Sequence, residues 1–263
     1  MRLRAPLLVV ASLIFATAAS ASPKPARLTL PSPLPSRTVQ VPILMYHRVD
    51  VLKPTLPAIT LSLTVDPHTF AAQMTWLTRH GRHTITQRQL FDALMYGRPL
   101  PAHPVLITFD DGYRDVLRYA APVLHRLHMP ATAYVITGRI SNGDTSWFTW
   151  GELPRLERLG FDIGSHTVTH PDLTTLSSAA AYDELVRSRQ ALERHLHHPV
   201  QWFAYPAGAE DAAVVDEARR AGYVLAVTTR PGAVQDDAHP LELHRYEVLD
   251  STGVAGLAAM LSG

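Results

Sequence analysis

Two short polar segments hold the residues of this chain that could do chemistry. Asp110-Asp111-Gly112 follows the apolar run 105–109, and the segment from His166 to His170 follows the apolar run 161–165. Two imidazoles and one carboxylate can hold a divalent ion and leave positions for water and substrate, and zinc is the default ion of such a hydrolytic site. A second carboxylate could take a proton from the attacking water. The pattern predicts a metal-dependent hydrolase.

Each segment alone has an ordinary explanation. An isolated Asp-Asp-Gly is typical of an Asx turn or a helix cap, and two histidines beside a turn could be surface residues. Their placement favours a site, because groups that follow parallel strands meet at one face of a sheet or barrel. The zincin pattern does not fit, since Thr167 stands where Glu would be needed and Pro171 disfavours helical dihedrals at His170.

The elements that must position these segments alternate between two periodicities. Short apolar runs predict buried strands at 41–46, 105–109, 131–137, 161–165, 202–205 and 223–228. Helical spacing predicts helices at 70–80, 113–127, 150–159, 177–196, 211–221 and 254–261, with a possible capping box from Thr149 to Glu152. Strand followed by helix, repeated, predicts an α/β fold built on parallel strands.

The N-terminus has the features of an export signal. Two arginines precede an apolar run from Leu7 to Ala19, and small residues at 19–21 offer a cleavage site. The run is too short to span a bilayer, so we expect no stable membrane span after signal cleavage. We predict a signal peptide at 1–21, a Pro-rich linker at 22–40 and one domain at 41–263, in a periplasmic or secreted protein.

Composition excludes several classes of partner and cofactor. The chain has no cysteine, which excludes disulfides, iron–sulfur clusters and thiolate zinc sites. Signal cleavage would remove two of the 24 basic residues and none of the 23 acidic ones, leaving a mature net charge of −1. No basic excess indicates nucleic acid binding, so we expect none.

The two polar segments resemble known motifs. Thr108-Phe109-Asp110-Asp111-Gly112-Tyr113 and Ser165-His166-Thr167-Val168-Thr169-His170 are similar to the first two motifs of the polysaccharide deacetylase family, the NodB-homology domain of carbohydrate esterase family 4. The resemblance covers roughly 41–261. Pro42-Ile43-Leu44-Met45-Tyr46-His47 is similar to the exported branch that includes poly-N-acetylglucosamine deacetylases. It implies a distorted (β/α) barrel, a metal that is usually zinc, and removal of acetyl groups from N-acetylated sugars of a polysaccharide substrate.

The resemblance also implies roles. Asp111, His166 and His170 match metal ligands, and Asp110 matches the general base that deprotonates a metal-bound water. The segment 203–208 resembles a third motif, in which Tyr205 shapes a groove wall and the backbone N–H of Ala207 helps to hold an oxyanion.

Three positions stay open. The family often has an arginine that orients the base, but Ala204 stands there, and Arg245 is the candidate substitute. For the general acid we prefer His47 over His244, because His244 is followed by Arg245 instead of the expected Asp. Trp147 is the best aromatic candidate for a sugar groove.

Three other functions remain alternatives. An O-acetyl esterase of the xylan type would use the same motifs. A catalytically silent sugar-binding module would explain Ala204 and the irregular last motif. A non-haem iron oxygenase also uses two histidines and a carboxylate, but the chain lacks the expected jelly-roll strands.

Overall fold

A computed structural model describes residues 37–141 and 143–262. The predicted signal peptide, 1–21, and the linker up to residue 36 lie outside the described residues. The last three residues of the predicted linker form a strand, β1 (Thr38–Gln40), which pairs antiparallel with β11 (Val234–Asp236). The folded part therefore begins before the predicted boundary at residue 41, because the backbone of β1 finds a partner 196 residues away in the chain.

A curled parallel sheet forms the centre of the molecule. Its path runs β10 (Leu225–Val227), β9 (Trp202–Ala204), β8 (Phe161–Ser165), β7 (Ala131–Val135), β6 (Pro104–Phe109), β2 (Ile43–Tyr46) and β12 (Tyr246–Glu247), with β5 (His83–Thr84) on the first residues of β6. A separate short pair joins β3 (Arg48–Val49) to β4 (Thr64–Val65). The predicted strands are confirmed, with ends that shift by up to two residues.

The segment 243–247 closes the sheet. Leu243 forms a parallel bridge with Val227 of β10, while Tyr246 pairs with Leu44 of β2 at the other side of the gap. One stretch of chain thus contacts both edges and completes a distorted barrel. The predicted α/β fold, a distorted (β/α) barrel of the NodB-homology type, is confirmed.

Helices cover the outside of the sheet and fill the connections. They are α1 (Ala58–Ser62), α2 (Pro67–Arg79), α3 (Gln87–Tyr96), α4 (Ala121–Arg126), α5 (Thr137–Ser141), α6 (Leu153–Arg158), α7 (Ser178–Leu196), α8 (Ala212–Arg220) and α9 (Gly253–Met260). No helix among residues 37–141 and 143–262 is long and apolar enough to cross a membrane.

Four helices differ from the prediction. The predicted helix 113–127 begins only at Val116, with a π turn up to Ala120, because residues 112–114 pair instead with residues 146–148. The helices α1, α3 and α5 were not predicted, although Thr86 and Gln89 form a complete capping box at the start of α3. The predicted capping box between Thr149 and Glu152 is present.

Alternation along the strands builds two apolar layers. Ile43 of β2 and its partner Leu106 of β6 pack with α3 on one face, and the next pair, Leu44 and Ile107, packs on the other face under α2 and α4. Both layers are fully buried, so the strand ends are held by a packed interior. The polar segments that follow β6 and β8 extend from this rigid base.

Candidate active site

The end of β6 separates its two acids. Ladder pairing continues through Asp110, whose N–H donates to the Tyr46 carbonyl at 2.9 Å. Asp111 then adopts a left-handed φ of 72°, and Gly112 continues the turn at φ 85°, where a Cβ atom would lie 3.0 Å from Val135 Cγ1. This turn directs Asp110 into the barrel, with 3% of its side chain exposed, and leaves Asp111 14% exposed.

The end of β8 orients the first histidine. The N–H of His166 donates to the Val135 carbonyl at 3.0 Å, which extends the β7–β8 pairing by one residue. Its ring Nδ1 lies 2.7 Å from the Ala204 carbonyl oxygen, so Nδ1 carries the donated proton. The opposite nitrogen, Nε2, is therefore the one that faces Asp111.

The loop that carries the second histidine is braced by α7. Thr167 and His170 both have left-handed φ values, 65° and 63°. Glu184 accepts hydrogen bonds from the N–H groups of Val168 and Thr169 at 2.8 and 2.9 Å, and from the Thr169 hydroxyl at 2.8 Å. Three hydrogen bonds to one carboxylate thus hold the loop in a left-handed backbone conformation that residues other than glycine rarely adopt.

Asp111, His166 and His170 form a cluster that fits a metal ion. Nε2 of each imidazole lies 3.5 Å from Asp111 Oδ1, and the three ligand atoms lie within 4.8 Å of one another. Ligand atoms of a tetrahedral zinc ion lie about 3.3 Å apart, given bonds of about 2.0 Å. The Ala204 carbonyl supplies the outer contact that metal-binding histidines usually have.

The charges of the cluster favour a cation. Burial opposes protonation of His166, but the hydrogen bond that its protonated ring donates to Asp111 and the charges of Asp110 and Asp111 raise its pKa. Burial and the neighbouring His166 lower the pKa of His170, which therefore stays neutral as a ligand must. The types of ligand, the distances between them and the negative charge of the two acids all suit a divalent ion.

Arg245 holds Asp110 through a two-pronged ion pair. Its Nη1 lies 2.7 Å from Oδ1 and its Nη2 lies 2.7 Å from Oδ2, and Nε donates to the Thr228 carbonyl at 2.8 Å. Burial opposes ionisation of Asp110, but Arg245 outweighs it and lowers the pKa to about 2. The arginine that Ala204 lacks is thus present in space, supplied by the segment that closes the barrel.

His47 enters the same site from β2. It follows Tyr46, whose ladder partner Phe109 precedes Asp110, so His47 and the two acids lie at neighbouring strand ends. Its Nδ1 is buried and has no hydrogen-bond partner among the described residues. A buried polar atom of this kind points to a group that arrives with substrate or solvent.

The structure does not bring every predicted residue to this cluster. The Tyr205 side chain is buried among Phe203 and Tyr223, with its hydroxyl lacking a partner among the described residues, so it packs in the core. The prediction that its side chain shapes a groove wall does not match this position. His244 lies against Gly232, and its backbone N–H donates to Gln235 Oε1.

Two further predicted residues lie in loops. Ala207 is exposed and has a left-handed φ of 54°, in the turn after β9. Trp147 stacks on Tyr113, with ring centroids 4.3 Å apart, directly beyond Gly112. Sequence reasoning missed Glu184, which lies within a helical pattern where no spacing marks it.

The comparisons with known proteins identify a family. The family profile described as polysaccharide deacetylase matches residues 97–226. The Bacillus subtilis protein YxkH, named for the same family, is 32% identical over 222 residues that cover 84% of this chain and 75% of the relative. A poly-β-1,6-N-acetyl-D-glucosamine N-deacetylase of Staphylococcus epidermidis is 26% identical, and the match covers 78% of each chain.

Solved structures have the same fold. The Streptococcus pyogenes deacetylase PplD superposes with a TM-score of 0.80 at 29% identity, over 86% of this chain and 100% of that one. IcaB from Ammonifex degensii gives a TM-score of 0.73 at 24% identity, over 85% and 97%. On this sequence match, with the motifs placed together in space, the chain belongs to the polysaccharide deacetylase family.

Proposed function

We propose that this protein is a metal-dependent hydrolase that removes N-acetyl groups from a polysaccharide containing N-acetylglucosamine. The observation that carries the proposal is the cluster of Asp111, His166 and His170 beside an Asp110 that Arg245 keeps ionised. The staphylococcal relatives, which are named for poly-β-1,6-N-acetyl-D-glucosamine, support this class of substrate.

The ligands would be Asp111, His166 and His170, and the ion is zinc by the chemistry of the donor set. When bound, such an ion polarises the acetyl carbonyl and lowers the pKa of a water. Its charge also lets two adjacent carboxylates stay ionised together.

Asp110 takes the proton of the attacking water. Arg245 occupies one lone pair on each carboxylate oxygen and leaves others free to accept. The water oxygen forms a bond to the acetyl carbon, the C–N bond breaks, and acetate and an amine are released. His47 donates the proton that the leaving nitrogen needs, and the N–H of Ala207 stabilises the developing oxyanion. His47 is preferred to His244 because His244 faces Gly232 and Gln235.

The contact between Arg245 and Asp110 also weighs against a silent sugar-binding module. That alternative relied on the missing arginine at Ala204 and on the irregular last motif. Both are accounted for if Arg245 orients the base from the segment before β12. We further propose that the protein acts outside the cytoplasm, after removal of the signal peptide 1–21.

An acetate-release assay tests the reaction. The purified protein, loaded with zinc, is expected to release acetate from β-1,6-linked poly-N-acetylglucosamine or chito-oligosaccharides and much less from acetylated xylan. Preference for xylan would identify an O-acetyl esterase instead. Release from none of these polymers, with zinc or with cobalt, would contradict the enzymatic proposal.

Two variants test the division of roles. Asp110→Asn should keep bound metal and lose nearly all turnover, whereas His166→Ala should lose both, as measured by metal analysis and acetate release. An Asp110→Asn protein that no longer binds metal would show that Asp110 is a ligand and not the base.

A further inference from the structure

The guanidinium of Arg245 bonds to more than the carboxylate of Asp110. Its Nη1 also lies 3.2 Å from the hydroxyl oxygen of Thr108, and its Nε donates to the Thr228 carbonyl at 2.8 Å. Together with the two bonds to Asp110, four of its five N–H groups have an acceptor, in a side chain of which 0% is exposed. The charge of Asp110 does not account for the two additional acceptors.

The two additional acceptors belong to different parts of the barrel. Thr228 follows β10, and both its backbone N–H and its hydroxyl donate to the carbonyl of Leu243, in the segment that also carries Arg245. Thr108 lies on β6, two residues before Asp110, and alternation along a strand directs such residues to the same face. Thr108 therefore joins Arg245 to the strand that carries the proposed base.

The hydroxyl of Thr108 is itself fixed in direction. It is fully buried, and its O–H donates to the carbonyl of Leu44 on β2 at 2.8 Å. Because the single hydroxyl proton is used in this bond, the oxygen can act toward Arg245 only as an acceptor. The position of this acceptor is thus set by the two paired strands β2 and β6.

A fixed acceptor outside the ion pair determines how the pair is oriented. A carboxylate and a guanidinium that bond only to each other can rotate together, because both side chains have free torsions. The bond from Nη1 to Thr108 opposes this joint rotation, and it holds the guanidinium in relation to the sheet. The direction of the remaining lone pairs of Asp110 then depends on Thr108, and small errors of placement at a reacting group cost large factors in rate.

We propose that Thr108 is a positioning residue, which acts through Arg245 to aim the carboxylate of Asp110 at the attacking water. The inference rests on the proposed function for the reaction that Asp110 assists. The hydrogen bonds that define the role of Thr108 do not depend on that function.

A substitution that keeps the shape of the side chain tests the role. Thr108→Val removes the hydroxyl and should lower kcat for acetate release from a β-1,6-linked N-acetylglucosamine pentamer about tenfold or more. KM and zinc affinity should stay within about twofold of wild type, because the substitution leaves the ligands Asp111, His166 and His170 in place. Thr108→Ser keeps the acceptor and should restore kcat to within about threefold of wild type.

The matched control is Thr132→Val on the neighbouring strand. Thr132 is the ladder partner of Thr108 on β7 and is equally buried, but its hydroxyl bonds to Gln87 Oε1 at 3.4 Å. The control removes the same group from the same layer without removing a contact of Arg245, so kcat should stay within about twofold of wild type. Equal losses of kcat in the two valine variants would overturn the inference.

Hydrogen exchange of the Arg245 side chain tests the role without any activity. The signals of its Nη protons are measured by NMR and are assigned by their loss in Arg245→Lys. Thr108→Val takes the acceptor from Nη1, so one of these protons should exchange with solvent about tenfold faster or more, whereas Thr132→Val should leave the rates unchanged. Thr108→Ala removes the same acceptor and should give the same result as Thr108→Val.

The two measurements separate the inference from the proposed function. Wild type that releases no acetate from the pentamer would count against the proposed function, while the exchange rates would still decide whether Thr108 holds Arg245. Unchanged exchange in Thr108→Val and Thr108→Ala would overturn the inference. Unchanged kcat in these variants of an active enzyme would overturn it as well.

Discussion

Two arginine–aspartate pairs flank Asp111, and they differ in geometry and in consequence. Arg245 and Asp110 share two bonds in a region with 0% and 3% of the side chains exposed, and the pKa of Asp110 falls to about 2. Arg48 reaches Asp115 through Nε, with 15% and 7% exposed, and also contacts Asp50. Burial is then the larger influence and raises the pKa of Asp115 to about 6.

The difference teaches how an arginine can serve two purposes. A guanidinium with both prongs on one carboxylate orients that group and keeps it ionised at rest, so that it is ready to accept a proton. A guanidinium divided between two acids and an aromatic ring, as at Arg48, instead ties the segment after β2 to the segment after β6. Asp111 lies between these pairs with two imidazoles and no guanidinium within 4.0 Å among the described residues, which is why it is the acid left to a cation.

The largest expected effect is a difference in unfolding free energy between variants of the two ion pairs. Arg245→Ala leaves a buried, uncompensated carboxylate and should lower the free energy of unfolding by about 3–5 kcal/mol. Arg48→Ala, in the more exposed pair, should cost about 1 kcal/mol. Urea unfolding measures both. Arg245→Ala in an Asp110→Asn background should cost clearly less, and equal losses for Arg245→Ala and Arg48→Ala would remove the distinction between the pairs.

Zinc addition tests whether Asp111, the acid between the two ion pairs, binds the metal ion. Zinc at a hundred times its Kd should raise the free energy of unfolding of wild type by about 2.7 kcal/mol. Arg48→Gln should keep this stabilisation and Asp111→Asn should lose it, as measured by unfolding with and without zinc. Full stabilisation of Asp111→Asn by zinc would show that the ion binds elsewhere.

The raised pKa of Asp115 predicts a pH dependence. A carboxyl whose pKa is higher in the folded state stabilises fully below its unfolded pKa of about 3.9, and this contribution is lost as pH rises through about 6. Asp115→Asn should therefore match wild type near pH 4 and exceed its unfolding free energy by about 2–3 kcal/mol at pH 7. A variant that becomes less stable than wild type as pH rises would mean that Arg48 dominates after all.

The smallest expected effect concerns the brace on the histidine loop. Glu184→Gln weakens three hydrogen bonds to residues 168–169 and should reduce zinc affinity about tenfold. Asp183→Asn, at an exposed neighbouring position on α7, is the matched control and should leave affinity unchanged. Competition with a zinc chelator measures both, and equal affinities would show that the loop needs no brace.

The sequence predicted the parts of the molecule that depend on local patterns. Buried strands such as 161–165 show their apolar run directly, and Asp111, His166 and His170 follow such runs at the strand ends that a parallel sheet brings together. The resemblance to a family added the distorted barrel.

Long-range pairing accounts for what the sequence did not show. The helix predicted at 113–127 begins late because Tyr113 pairs with Trp147. The Tyr205 side chain packs in the core because strand alternation turns it toward Phe203 and Tyr223, while the neighbouring Ala204 carbonyl bonds His166. Glu184 was missed because its partners are backbone groups, which no residue type reveals.

The barrel closure by residues 243–247 has a consequence for activity. Arg245 and Asp110 are separated by 135 positions, so their ion pair depends on a segment far from the metal cluster in the chain. A polypeptide that has formed β2, β6 and β8 without this closing segment carries an unneutralised acid in its interior. We therefore expect catalytic activity to report directly on whether the closing segment has docked.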